Sequence, residues 1–317
     1  MIGALELGII YAIVALGVYL TFRVLNFPDL TVDGSFTTGA AVAGMLVTLE
    51  VNPILATAAA FIAGMLAGTI TGLLHTYGGI DGLLAGILTM IALWSVNLRI
   101  MGLATGSPGT ANLGLLRSES MFTPLREAGI LGTWMSIPIL LAGVIVVKLL
   151  IDWFLATDLG LSLRATGNNE QMIRAFGVNT YHTKILGLAL SNGIVAVGGA
   201  LVAQYNGFAD IQAGVGLILI GLASVILGQV VVGSRWVWQA TLGVIVGAIL
   251  YRFIIFLALQ SGLNPNDTKI VSAIIVVLAL LMPRFGIGKQ LRSVFSSGGK
   301  TTKPDAVAAA EPVTKEA

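Results

Sequence analysis

The sequence predicts an all-α fold: a polytopic transmembrane helical bundle of about nine spans, with the N-terminus outside and the C-terminus cytoplasmic. Two observations predict the membrane class. Of the 317 residues, 56% are hydrophobic and only 10% charged, against roughly 25% charged in a soluble domain. Stretches of about 20 apolar residues, the length that crosses a hydrocarbon core of roughly 30 Å, recur along nearly the whole chain. A third observation, the placing of Arg and Lys in short loops, sets the orientation.

The first span, 2–22, begins MIGALELGIIYAIVALG. It lacks the basic leader and A-x-A site of a signal peptide, so it reads as a retained crossing. A polar stretch interrupts the apolar run before the second span at 34–49. The third, 53–74, carries Gly64, Gly68 and Gly72 as two overlapping G-x-x-x-G units, and the eighth, 236–260, carries Gly243 and Gly247. Lipid tails give helices no hydrophobic reason to associate, so close backbone approach at small residues does that work. Packing within the chain and an interface to a second subunit both use such motifs. The other spans are expected at 82–103, 130–156, 185–204, 213–232 and 269–283. Residues 1–285 therefore form one transmembrane domain. Residues 286–317, rich in Ser, Gly, Ala, Pro and charge, are expected to be a disordered cytoplasmic tail. Gly299-Lys300-Thr301 there imitates the end of a phosphate-binding loop, but Val294 stands where Gly is required.

Basic residues in short loops favour the cytoplasm. The polar island at 157–184 holds Arg164, Arg174 and Lys184, the GSRW loop holds Arg235, and the tail opens with Arg284, Lys289 and Arg292. Placing all three inside puts the N-terminus outside. The loop at 104–129 then lies outside, where Glu119 and Glu127 offset Arg117 and Arg126. With no cysteine, disulfides, thiolate metal sites and a Cys nucleophile are excluded. A net charge of +2 drawn from few groups points to no nucleic-acid partner. His75 and His182 share no metal-site spacing, and no cofactor is expected.

The island TDLGLSLRATGNNEQMIRAFGVNTYHTK is long for a loop between two spans. Its part NNEQMIRAFG reads as a short helix over 168–177. Asn168 or Asn169 caps it, Glu170 suits its dipole, and Gly177 suits a left-handed stop. Met172, Ile173, Ala175 and Phe176 are too few for a core and make one apolar side. That side either rests in lipid headgroups or fits the groove of a cytoplasmic partner.

A second stretch, 26–36, combines Pro28 with Asp29 and Asp33 at i, i+4. Irregular backbone and acids inside a bilayer are tolerated where they line a cavity or are buried in protein. On that reading Asn26, Phe27, Asp29, Thr31, Asp33 and Ser35 line a path. The other reading is a cytoplasmic turn with solvated acids and Asp33 as a helix N-cap. Lys148 and Asp152, at i, i+4, read as a local ion pair rather than a proton relay. Arg252 either snorkels outward or approaches Asp210.

The run GLSLRATGNNEQMIRAFGVNT at 160–180 resembles the coupling loop of permease subunits in bacterial ABC importers. The family is that of the branched-chain amino acid and simple-sugar permeases, and the variant Asn26-Phe27-Pro28-Asp29 looks like its tryptophan/tyrosine-type single-permease subgroup. Many members instead follow Asn-Phe with a small residue and then His or Gln before Gly. RVLNFPDLTVDGSFTTGAAVAG at 23–44 and GLILIGLASVILGQVVVG at 216–233 are similar to other segments of the family. The resemblance implies a multi-pass subunit of the bacterial cytoplasmic (inner) membrane that is not itself an enzyme. It implies an ABC ATPase subunit dimer below, a substrate-binding protein outside and a second permease copy, as a homodimer surrounded by lipid. Amino acids or related small molecules are the implied cargo. Arg164, Asn168, Asn169, Glu170, Met172, Arg174, Phe176, Gly177 and Asn179 become ATPase-coupling residues, with Arg174 expected to meet an acidic groove residue and Phe176 an apolar notch. The polar segments 104–129 and 205–214 become docking surfaces for the binding protein.

Two other classes compete. A secondary transporter or channel would carry paired ionisable groups around a midplane site, whereas these spans are almost free of charge. An intramembrane enzyme is disfavoured because no H-E-x-x-H occurs and no Ser, His and acid group by spacing.

Overall fold

A computed structural model describes residues 1–107, 109–116, 118–262 and 267–281. The tail at 286–317 lies outside the described residues, as do Arg117, Arg284, Lys289 and Arg292. The chain runs as α1 (Ile2–Tyr19), a π-helical turn (Leu20–Val24), α2 (Thr31–Thr48), α3 (Pro53–Thr76), α4 (Gly82–Thr105), β1 (Asn112–Gly114), α5 (Thr123–Glu127) and α6 (Ser136–Ala156). It continues as α7 (Asp158–Asn168), α8 (Glu170–Ala175), α9 (Thr180–Asn206), β2 (Phe208–Asp210), α10 (Leu217–Val231), α11 (Val237–Gln260) and α12 (Thr268–Leu281).

Among the described residues every expected span falls on a helix, but six helical segments are long and apolar enough to cross a membrane. They are Ile2–Val24, α3, α4, α6, α9 and α11. The other three depart for separate reasons. The α2 helix is diluted by Thr, Ser, Gly and Asp33. The α10 helix has 15 residues, about 22 Å at a rise of roughly 1.5 Å per residue. The described part of α12 has 14 residues.

Local chemistry explains several helix starts. Asn52 accepts from Ile54 N at 2.9 Å with Pro53 in the first turn, Asp81 accepts from Leu83 N at 3.0 Å, and Asn179 accepts from Tyr181 N at 3.0 Å. Each side chain satisfies an N–H that the helix itself leaves free.

The long α9 helix is the hub, packed by α1, α2 and α3. It presents backbone rather than bulk to them. A Cβ on Gly39 of α2 would stand 1.9 Å from Ala196 O, and one on Gly68 of α3 would stand 2.2 Å from Leu188 O. Gly64 and Gly72 face α9 in the same way, and Gly243 and Gly247 of α11 face Gly228 and Ser224 of α10. Both G-x-x-x-G motifs are thus used inside the chain.

Two features depart from the expected pattern. The polar island holds two helices, α7 and α8, where one was expected over 168–177. Asn168 ends α7 and Asn169 alone caps α8, accepting from Met172 N at 3.0 Å. The otherwise all-α fold also carries a small antiparallel ribbon, with Asn112 opposite Asp210 and Leu113 opposite Ala209. It ties the 104–129 loop to the segment that follows α9.

Candidate functional site

The stretch after α1 turns back into the protein. Asn26 takes φ +54 and is exposed, whereas Phe27 is buried with its ring edge-on to His75, centroids 5.0 Å apart. Asp29 is 2% exposed and Asp33 9% exposed, so the reading of a turn with solvated acids is overturned. Burying a carboxylate is costly unless its oxygens are paired, and both are. Asp29 Oδ1 accepts from Thr31 N at 2.9 Å, and its Oδ2 accepts from Asn192 Nδ2 at 2.6 Å.

Asn192 also accepts from Ser35 Oγ at 2.7 Å, and Thr31 Oγ1 meets Thr71 Oγ1 at 2.7 Å. At about 1.5 Å per residue, Asn192 lies about 18 Å along α9 from Thr180, so this polar knot sits deep in the bundle. Asp33 stands in the first turn of α2 but does not act as its N-cap. Its two oxygens accept from Gly216 N and Ile218 N, each at 2.8 Å, at the start of α10. The α10 helix has no side-chain cap of its own, so α2 supplies one. A Cβ on Gly214 would lie 2.1 Å from Asp33 O, which shows how closely the two elements meet.

Of the six path candidates, the fold thus gathers Asp29, Thr31 and Ser35 around Asn192, places Asp33 on α10, and sends Asn26 and Phe27 elsewhere. Sequence reasoning missed Asn192, Thr71 and Asn97. Their signal was an amide or hydroxyl inside an apolar span.

The island forms a second polar site. Glu170 is its centre: Oε1 accepts from Arg174 Nη2 at 2.6 Å and from Thr180 Oγ1 at 3.1 Å, and Oε2 pairs with Lys184 Nζ at 2.8 Å. Burial pushes the Glu170 carboxyl up, but Lys184, Thr180 and Arg174 outweigh it and hold the group below its ordinary value. Arg174 Nε donates to Thr180 Oγ1 at 2.7 Å, and its guanidinium lies 4.9 Å from the Tyr181 ring centre. Arg174, expected to reach an acidic partner, is thus already held within the chain. Gly177 takes φ +84, the left-handed stop that was expected. Asn179 caps α9, Arg164 is half-buried on α7, and Met172 and Phe176 remain 47% and 75% exposed.

The two sites connect. Lys184 Nζ lies 3.4 Å from His75 Nε2, and His75 packs on Phe27, two residues before Asp29 in the chain. A Cβ on Gly167 of α7 would stand 2.0 Å from Val24 O at the same junction.

The remaining charges are local. Lys148 pairs with Asp152, as expected, and Asp152 also accepts from Thr241 Oγ1 at 2.8 Å. The Arg252 guanidinium stands 3.7 Å over the Tyr11 ring, while Asp210 accepts from Gln212 N in its own loop. Among the described residues no cluster of His, Cys, Asp and Glu could hold a metal ion.

The branched-chain amino acid transport system permease component model matches residues 1–280. The tyrosine transport system permease protein of Clostridioides difficile is 38% identical over 280 residues, covering 88% of this chain and 90% of the relative. The ribose import permease protein of Escherichia coli K12 is 28% identical over 279 residues, covering 86% of this chain and 81% of the relative. An autoinducer 2 import system permease of Salmonella paratyphi B is 27% identical over 249 residues, 76% of this chain and 64% of the relative. No solved structure matches. These relatives are transport permease components rather than enzymes. The chain belongs to the family of branched-chain amino acid transport system permease components, as a multi-pass permease component of an ABC-type system in the bacterial inner membrane.

Proposed function

We propose that this chain is the membrane subunit of an ATP-driven importer, working as a homodimer on a separate ATPase dimer and served outside by a substrate-binding protein. The island α7–α8 receives the ATPases' motion, and the segment 26–36 lines the path. The cargo is an amino acid with an aromatic side chain, in line with the name of the tyrosine-transport relative. The N-terminus lies outside and the island inside, with segments 104–129 and 205–214 facing the binding protein.

One observation carries the reading: the exposed apolar pair Met172 and Phe176 stands on and just after a short helix anchored by Glu170 to Lys184, which in turn reaches His75 and, against it, Phe27. A capped and tethered helix transmits displacement, whereas a loose loop would absorb it. Phe176 is the side chain free to enter a partner's notch.

The test replaces Met172 and Phe176 together by Ala in the reconstituted complex. ATP hydrolysis should continue while uptake falls about tenfold or more, the loss that truncating a buried hot-spot aromatic brings at about 1.4 kcal/mol per decade. Full coupling in the double variant would contradict the assignment.

A second reading has one observation in its favour: Asp33 is a buried acid at the N-terminus of the short α10, and ionisable groups inside the bundle are a feature of secondary transporters. Uptake without any ATPase would favour it.

A further inference from the structure

Beside Asp33 lies a cavity of about 30 Å³ whose walls include Asp33, Thr37, Trp94, Asn97, Ile211 and Val215. That volume has room for a water or an –NH₃⁺ group. Trp94 and Val215 are exposed, so the cavity opens between α4 and the loop before α10.

Its walls are mostly apolar, with Asp33 and Asn97 as the side chains that bring acceptor oxygens. Asn97 is 1% exposed, and its Nδ2 donates to Gly34 O at 3.4 Å while its Oδ1 is buried with no partner. A buried acceptor left unpaired is unfavourable, and this one lines the cavity. Asp33 accepts two backbone N–H groups, about half of what a carboxylate can take.

Charge points the same way. Asp29 and Asp33 lie against the N-termini of α2 and α10, each worth about half a positive charge. Among the described residues no Lys or Arg pairs with either acid.

We propose that this cavity is a subsite for the primary ammonium group of an organic cation, held between Asp33 and Asn97 Oδ1 with the rest of the molecule lying against the Trp94 ring. Trp94 is the strongest cation-binding ring among the aromatics and offers a flat apolar face at the mouth. The assignment rests on the reading that segment 26–36 lines the path, and it makes the transported class one that carries a free amine.

The chain has no cysteine, so Val215→Cys places a single thiol at the mouth. The full chain carrying it is labelled with a maleimide in membranes, with and without tyramine, and with and without 4-hydroxyphenylpropanoate. The second probe has the same ring with a carboxylate in place of the amine. At tyramine about fourfold above its dissociation constant, labelling should slow about fivefold, because only the free fraction reacts; the carboxylate probe should leave it unchanged. Asn97→Leu in the same background should abolish the protection, and Asn97→Asp, which keeps an acceptor, should retain it. Equal protection by both probes, protection by neither, a thiol that never reacts, or protection that survives Asn97→Leu would each overturn the subsite. If Asn97→Leu does not fold, the Asp variant decides: loss of protection there also overturns it. No transport is needed for this readout, so failure of the complex to import an amino acid would count against the proposed function and not against the subsite.

Discussion

Asn192 holds two groups that lipid would leave unpaired, the Asp29 carboxylate at 2.6 Å and the Ser35 hydroxyl at 2.7 Å. Replacing it by Leu should cost about 1–3 kcal/mol for the hydroxyl alone and more for the carboxylate, seen as a lower Tm of the purified protein. An unchanged Tm would mean the knot contributes nothing. Glu170 makes a prediction in pH. Its folded pKa lies below the ordinary 4.5, so the tether it gives α8 is fully present above that value and is lost as pH falls through the lowered one. Protection of the α8 amides, taken relative to the intrinsic exchange rate at each pH, should therefore be high at neutral pH and fall only under strong acid, whereas Glu170→Gln should lower it at neutral pH to the level the parent reaches in acid. A variant indistinguishable from the parent at pH 7 would show that the ion pairs with Lys184 and Arg174 do not hold the helix.

Among elements, α9 was legible as a span but not as a hub, because its small residues tell of close packing without saying on what. Gly39 shows what the structure adds: with Ala196 O where a Cβ would stand at 1.9 Å, Gly39→Val should displace α2 from α9 and cost at least the ~1–3 kcal/mol of an overpacked core. Wild-type levels of folded protein in the membrane would contradict that contact. The island shows the opposite limit. Asn169, Glu170 and Gly177 marked α8 by capping chemistry alone. The α7 helix escaped because Gly160 and Gly167 each weaken a helix by about 1 kcal/mol. Only the approach of Phe154 O and Val24 O, at 2.2 and 2.0 Å from where their Cβ atoms would be, explains both glycines. The site divides in the same way. Asp29 and Asp33 stood out as acids at a broken helix, but their partners Asn192 and the α10 backbone lie more than 150 residues away in sequence and only the fold reveals them.

For the molecule as a whole, composition was enough to give the membrane class, and among the described residues six helices have the length and apolarity to cross. The shortfall from nine lies in α2, α10 and α12, and two of these meet at Asp33. A helix that starts within the bundle needs its N–H groups satisfied by protein, since lipid offers no acceptor; the α2 carboxylate does this for α10. The polar island reaches His75 through Lys184, and His75 packs on Phe27, the route by which the proposed coupling would pass. The most direct measurement is uptake of labelled tyrosine into proteoliposomes holding the purified chain, with its binding protein, in the presence or absence of the ATPase and ATP. Accumulation only when the ATPase hydrolyses ATP is the predicted result. Accumulation by the chain with no nucleotide hydrolase in the vesicle would contradict the account at its root.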